Sequence, residues 1–275
     1  MNDRVLVVIN QGVATVTLNR ADKHNGVDFP MIDAMIAAQR QLRRDRSVRA
    51  VILVGHGPSF CAGLDFKAVL ARPALAAWKA TQLLWPFTNQ FQRWSMGWRQ
   101  LGVPVIAAVH GNCFGAGIQL ALGADIRFAH PQSQISLLEA KWGLVPDMGG
   151  IAALRELMPL DVAKELTFTG RVIDGTQAHA LGLVTHLADE PVAAAHALAR
   201  EIATRSPDSV AAGKFLLQNA WRVGLWRALR AERLWQRRVI GRRNQQVAMA
   251  REQARAKAVA AGTEPQLKPY KPRRL

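Results

Sequence analysis

Three short stretches of this 275-residue chain combine small residues with groups able to hold or move charge. They are Ser59-Phe60-Cys61-Ala62-Gly63-Leu64-Asp65, Gly111-Asn112-Cys113-Phe114-Gly115-Ala116-Gly117-Ile118-Gln119, and Leu138-Glu139-Ala140-Lys141-Trp142-Gly143-Leu144-Val145-Pro146-Asp147-Met148-Gly149-Gly150. The first two each follow a run that reads as a buried strand. Small residues in that place let backbone N–H groups approach a ligand closely. Gly115-Ala116-Gly117 opens the helical run IQLALGA, which leaves its first N–H groups and positive dipole end facing outward. Two such N–H groups from two loops can hold a developing oxyanion. The same glycines would equally serve tight strand–helix packing. The pattern is neither a phosphate loop, which needs Gly-Lys-Ser/Thr, nor a correctly spaced dinucleotide fingerprint. Asp147 sits just before Gly149-Gly150-Ile151, where an aspartate would cap a helix well. Gln119 carries an amide, which holds a water or a carbonyl but moves no proton at neutral pH.

His24, His56, His110 and the other histidines lack ligand spacing such as His-Glu-x-x-His, so no metal is expected. Cys61 lies beside a Gly-rich turn with no base predicted next to it and is read as packing. His110 is likewise read as a packed side chain.

These residues need elements to place them. Residues 5–9 and 13–18 read as a hairpin joined by Asn10-Gln11-Gly12. Asp28 and Pro30 announce a helix from Phe29 to Leu42. AVILV (50–54) reads as a buried strand that stops at Gly55-His56-Gly57-Pro58. A long Trp-rich helical region (67–101) follows, holding Trp78, Trp85, Trp94 and Trp98, then the strand 103–109. Residues 125–129 and 134–137 are further short strands. A strand–strand–helix cadence recurs over 5–42, 50–101 and 103–123, which indicates an α/β class. After Pro207 the pattern turns helical and basic to Ala261, and EPQLKPYKPRRL is expected to be extended. The division expected is a core over 1–205 and a C-terminal helical region over 206–275.

The chain is 49% hydrophobic and 20% charged, which excludes a mostly disordered protein. Its longest clean apolar run, Val103 to Val109, is too short to cross a bilayer. The start, MNDRVLVVIN, lacks a signal-peptide core, and two cysteines cannot make a disulfide framework. A reduced, cytoplasmic protein is expected. Of the net charge of +16, residues 221–275 carry +12 from 15 Lys+Arg and 3 Asp+Glu. Such a segment attracts polyanions or is simply a solvated basic helix. A nucleic-acid-binding protein is one competing class. Against it, aromatics are sparse after Trp235 and no RNA or DNA motif is present.

Taken together, the stretches resemble the crotonase superfamily of enoyl-CoA hydratases and isomerases. The resemblance runs from Val5 to Gln253. It rests on LNRADKHNGVD (18–28), GPSFCAGLD (57–65), GNCFGAGIQLALGADIRFA (111–129), EAKWGLVPDMGG (139–150) and FTGRVIDGTQAHALGLVTHL (168–187). It implies a crotonase-like α/β spiral of strand–strand–helix units, with C-terminal helices that build homo-trimers or hexamers. Apolar Leu225, Trp226, Leu229, Leu234 and Trp235 are available to bury there. It implies acyl-CoA thioesters as substrates, coenzyme A being part of the substrate and no separate cofactor being needed. By position, the oxyanion donors would be the N–H groups of Leu64 and Ala116. Ala62, Gly63, Asp65 and Gly115 would line the substrate, and Lys23 or a basic residue of the tail would meet the coenzyme's phosphates. Gln119 and Glu139 fall where hydratases of the family commonly carry two glutamates. Glu139 would be the acid/base group, or else a surface carboxylate at a strand end. An aspartate at the place of Asp147 occurs in members that move double bonds, so the pair Glu139/Asp147 favours isomerisation slightly over hydration. A catalytically weak acyl-CoA-binding scaffold is the alternative that the missing carboxylate leaves open.

Overall fold

The computed structural model describes residues 4–84 and 86–275. β1 (Val5–Asn10) and β2 (Val13–Leu18) form the expected hairpin, antiparallel from Val5 opposite Leu18 to Asn10 opposite Val13. Gln11 and Gly12 both take positive φ, 49° and 80°, as in the primed turns that suit strand twist. Helix α1 (Phe29–Arg44) starts where Asp28 accepts a hydrogen bond from the Met31 N–H at 2.9 Å. It buries Met31, Ile32, Met35 and Leu42 under the sheet.

β3 (Ala50–Gly55) is buried along its whole length. The Trp-rich region after it is not one long helix. It divides into α2 (Phe66–Leu70), α3 (Pro73–Ala80) and α4 (Gln90–Arg99), with a 3-10 turn over Thr81–Leu84. Proline sets the first break: Pro73 can only open a helix, and Arg72 before it is pushed out of the helical region. Asn89 then starts α4 with a reciprocal capping box to Gln92. Trp94 and Trp98 of α4 are fully buried and Trp78 is exposed, while Trp85 lies outside the described residues.

β4 (Val105–Val109), β5 (Asn112–Phe114), α5 (Ala116–Leu122), β6 (Ile126–Ala129) and β7 (Gln134–Ser136) follow in quick succession. Then come α6 (Gly150–Leu154), α7 (Leu160–Thr169), α8 (Gly175–Ala180), β8 (His186–Leu187) and α9 (Pro191–Ala203). The main sheet has the order β1-β2-β3-β4-β6-β8, parallel throughout except for β1. β5 and β7 make a second, two-stranded parallel sheet. Alternate residues of the central strands serve two cores. Val51, Leu53, Val105 and Ala107 face α1, α4 and α5, whereas Ile52, Ile106 and Ala108 face Ala195 and Ala199 of α9. Burial on both faces explains why these strands read as continuous apolar runs.

The C-terminal region forms α10 (Pro207–Ala220), α11 (Leu225–Val239) and α12 (Arg243–Ala261). Beyond α12 the chain is extended, as its prolines suggest, but it is not loose. Asp208 accepts from the Arg274 N–H at 2.6 Å and from Asn244 Nδ2 at 2.9 Å. Asn244 Oδ1 in turn accepts from the Lys271 N–H at 2.9 Å. The guanidinium groups of Arg49 and Arg251 both lie over the Tyr270 ring, 5.5 and 4.7 Å from its centroid. Arg273 is buried and donates to the Asp45 carbonyl. Part of the tail's charge is therefore spent inside the fold. Among the described residues, no helix is long and apolar enough to cross a membrane.

Candidate active site

The first two Gly-rich stretches lie side by side. A bridge pairs Cys61 with Cys113, the Cys61 N–H donating to the Asn112 carbonyl and the Phe114 N–H to that of Cys61, both at 2.9 Å. Three residues beyond each cysteine stand Leu64 and Ala116. Gly63 has φ +92°, and a β-carbon there would meet the Phe114 carbonyl oxygen at 3.0 Å and the Ala116 nitrogen at 3.8 Å. Gly117 answers to packing as well, since a β-carbon on it would lie 2.9 Å from that of Cys61. Both glycines let the two loops pack closely against each other.

Several N–H groups of the two loops are occupied. Ala62 donates to His24 O at 2.9 Å, Asp65 to Val27 O at 2.9 Å and Gly115 to Ser136 O at 2.9 Å. The N–H groups of Leu64 and Ala116 have no acceptor among the described residues. Ala116 opens α5, where an N–H has no partner in its own helix. Unpaired N–H groups beside a Gly-rich loop and at a helix start are free to receive an oxygen of a ligand. The buried Trp94 fixes the Ala116 peptide from behind, its Nε1 donating to the Ala116 carbonyl at 2.8 Å. The Leu64 loop is braced by Asp65, which caps α2 through the Ala68 N–H at 3.0 Å and pairs with Arg20 at 2.8 Å. Burial pushes the Asp65 carboxyl up, but the Ala68 and Arg20 bonds outweigh it and hold the group below its ordinary value.

Glu139 lies in a 3-10 turn (Leu138–Trp142) just after β7. It is half-buried, and the simple surface carboxylate of the alternative reading is not what is found. Gln119, buried on α5, holds it. Gln119 Oε1 accepts from the N–H groups of Met148 (2.9 Å) and Gly150 (3.1 Å). That fixes the amide, so Nε2 donates to Glu139 Oε1 at 2.6 Å. Glu139 Oε2 is buried without a hydrogen-bond partner among the described residues. Burial raises the Glu139 carboxyl above its ordinary value, with Asp147 adding to the rise and the Gln119 bond opposing it.

Asp147 does not cap α6. The cap position is Gly149, in the left-handed region, with no side-chain hydrogen bond to the helix start. The Met148 carbonyl is instead held by Ser95 Oγ of α4 at 2.6 Å. Asp147 is exposed on the single chain, yet loss of water to its neighbours raises its carboxyl. The two carboxyls, the amide and the two N–H groups thus come from α5, the loop after β3 and the segment after β7. An apolar cavity of about 600 Å³ between β6 and α10, lined by Leu122, Ile126 and Leu217 among others, is separate from them.

Lys23 is exposed in the turn whose next residue, His24, receives the Ala62 N–H. Cys61 is fully buried, its thiol pushed up to about 12 by burial, which removes it as a nucleophile. Among the described residues no group of three His, Cys, Asp or Glu could hold a metal ion. The sequence did not signal the anchoring parts played by Trp94 and Ser95. They lie on a helix whose aromatic spacing reads equally well as core.

The family model described as enoyl-CoA hydratase/isomerase matches residues 8–257. The chain belongs to that family. Among enoyl-CoA hydratase/isomerase relatives it is 32% identical to the human mitochondrial enoyl-CoA hydratase domain-containing protein 2, over 81% of this chain and 76% of that protein. It is 33% identical to the 1,2-epoxyphenylacetyl-CoA isomerase of Escherichia coli K12, over 74% of this chain and 78% of the other. An enoyl-CoA hydratase crystal structure from Bacillus anthracis superposes with a TM-score of 0.82 at 26% identity, covering 96% of this chain and 99% of its own. A Thermobifida fusca protein crystallised with acetoacetyl-CoA gives 0.75 at 31% identity, covering 86% and 94%. The fold is therefore the crotonase spiral, and the chain is an enzyme of the hydratase/isomerase type.

Proposed function

We propose that this enzyme binds an enoyl-CoA thioester and moves its double bond through an enolate, with Glu139 as the principal proton carrier. The unpaired Leu64 and Ala116 N–H groups receive the thioester oxygen as it gains charge. One lost donor in a comparable site costs about 3 kcal/mol of transition-state stabilisation. Glu139 Oε2, unpartnered and on the carboxyl that lies against Gly115, takes the proton from the carbon beside the thioester. A raised pKa suits that exchange near neutrality. Asp147, released from any capping duty and felt electrostatically by Glu139, enters protonated and gives that proton to the far carbon; both carboxyls then exchange protons with water before the next turnover. Gln119 moves no proton; it orients Glu139. The single observation that carries this reading is the unpartnered Glu139 oxygen fixed by Gln119. Ala62, Gly63, Leu64, Asp65, Gly115 and Ala116 line the thioester's passage, with Lys23 beside the coenzyme phosphates. The chain assembles as a homo-trimer or a hexamer through its C-terminal helices. In support, α11 has no buried residue and leaves Leu225, Trp226 and Leu234 exposed.

The test pairs crotonyl-CoA hydration with 3-enoyl-CoA isomerisation on the purified protein. Glu139→Gln keeps shape and should lower the faster reaction by about 10²–10⁴-fold. Asp147→Asn should abolish isomerisation while coenzyme A thioesters still bind. Near-normal turnover in Glu139→Gln would overturn the assignment, and intact isomerisation in Asp147→Asn would leave hydration as the reaction.

A further inference from the structure

Phe66 and Trp142 meet across the two loops of the candidate site, ring centroids 4.7 Å apart and planes tilted by 37°. Each stands two or three residues after a member of the proposed machinery. The Phe66 N–H donates to the Leu64 carbonyl at 3.1 Å, a tight turn directly after the donor loop. The Leu144 N–H donates to the Glu139 carbonyl at 3.0 Å, closing a turn with Trp142 inside it. Gly143, in the left-handed region, completes that turn and leaves Trp142 62% exposed. Leu144 and Val145, which follow, are also exposed. Large apolar side chains open to water beside a half-buried carboxylate are not explained by core packing, because they bury little themselves.

We infer that the Phe66–Trp142 pair is a specificity wall that selects acyl groups carrying an aromatic or similarly flat ring. The inference rests on the proposed acyl-CoA reading of the same site. A thioester held between the Leu64 N–H and Glu139 would start its acyl group between the two short segments that carry the rings, Phe66 standing two residues after Leu64 and Trp142 three after Glu139. A straight four-carbon acyl chain offers the exposed indole no face to stack on. A phenyl ring two or three carbons from the thioester does, and offset or tilted stacking is the arrangement aromatic rings prefer.

The experiment measures binding of two saturated thioesters, 3-phenylpropanoyl-CoA and butanoyl-CoA, by titration calorimetry. Neither can be turned over, so the result does not depend on the chemistry. The wild type should prefer the phenyl ligand by roughly 10-fold, from stacking plus burial of the ring. Trp142→Leu should shrink the preference to about 3-fold or less, Phe66→Leu should act in the same direction, and Trp142→Phe should keep most of it. An unchanged ratio in Trp142→Leu overturns the inference, including the case in which both ligands weaken equally because the indole touches the coenzyme. If neither thioester binds the wild type, the acyl-CoA reading falls and the inference falls with it. If the ratio behaves as expected while Glu139→Gln keeps full turnover, the wall stands and only the proton carrier is misassigned.

Discussion

Replacing Gln119 by Glu tests the geometry around Glu139 most directly. The two side chains are nearly isosteric, so the change is one of charge and protons. In the wild type the Gln119 amide accepts from two backbone N–H groups and donates to Glu139 across 2.6 Å. A carboxylate would keep the two accepted bonds and lose the donated one. Two full negative charges at that spacing would repel by roughly 6 kcal/mol even with an effective dielectric of 20. Retaining one proton between the pair costs less, so Gln119→Glu should titrate as a coupled pair that shares a proton at neutral pH. The sign of the stability effect follows. Above the ordinary glutamate value of 4.5, the unfolded chain releases its protons while the folded pair keeps one. Stability relative to wild type therefore falls as pH rises, from little difference near pH 4.5 until the folded pair itself ionises. Thermal unfolding from pH 4.5 to 9 reads this, and crotonyl-CoA hydration should rise about 10-fold or more, because one carboxyl can give a proton while the other takes one. A wild-type pH dependence of stability, with hydration unchanged, would refute the idea that Gln119 and Glu139 are in direct contact.

Three further substitutions test the frame that holds the site. Lys214 Nζ is buried against Asp125 Oδ2 (2.8 Å) and the carbonyls of Val103 (2.9 Å) and Trp98 (3.2 Å). Asp125→Ala should therefore cost about 3–5 kcal/mol in urea unfolding, more than Lys214→Met, because it strands a buried ammonium; the reverse order would contradict the burial. Asn244→Ala removes the clamp that joins Asp208 to Lys271 and should lower the melting temperature by about 5–10 °C, corresponding to roughly 2–3 kcal/mol for orphaned buried groups. No shift would mean that the tail is not docked in solution.

Much of this was visible before any coordinates. β3 and β4 announce themselves because strands buried on both faces leave an unbroken apolar run, and Asp28 marks the start of α1 through cap chemistry that acts within three residues. What escaped the sequence depends on partners far along the chain. β5 is three residues long and holds only because β7 pairs with it. Asp147 fits a helix cap equally well by residue type, and only the left-handed backbone of Gly149 decides against it. Gln119 reads as a missing carboxylate, whereas its contacts show a tether reaching from α5 to Met148, Gly150 and Glu139. The basic tail reads as solvated or polyanion-binding charge, and nothing local reveals that Arg273 ends buried beside Asp45.

The bridge between Cys61 and Cys113 has a consequence for how such an enzyme can change over generations. The spacing of the Leu64 and Ala116 N–H groups is set by main-chain pairing three residues upstream, not by the side chains at those two positions. Side chains nearby, Phe66 and Trp142 among them, are then free to vary without disturbing the donors. On the proposed reading, substrate preference can drift by single substitutions while the paired loops that carry the two N–H groups are inherited intact.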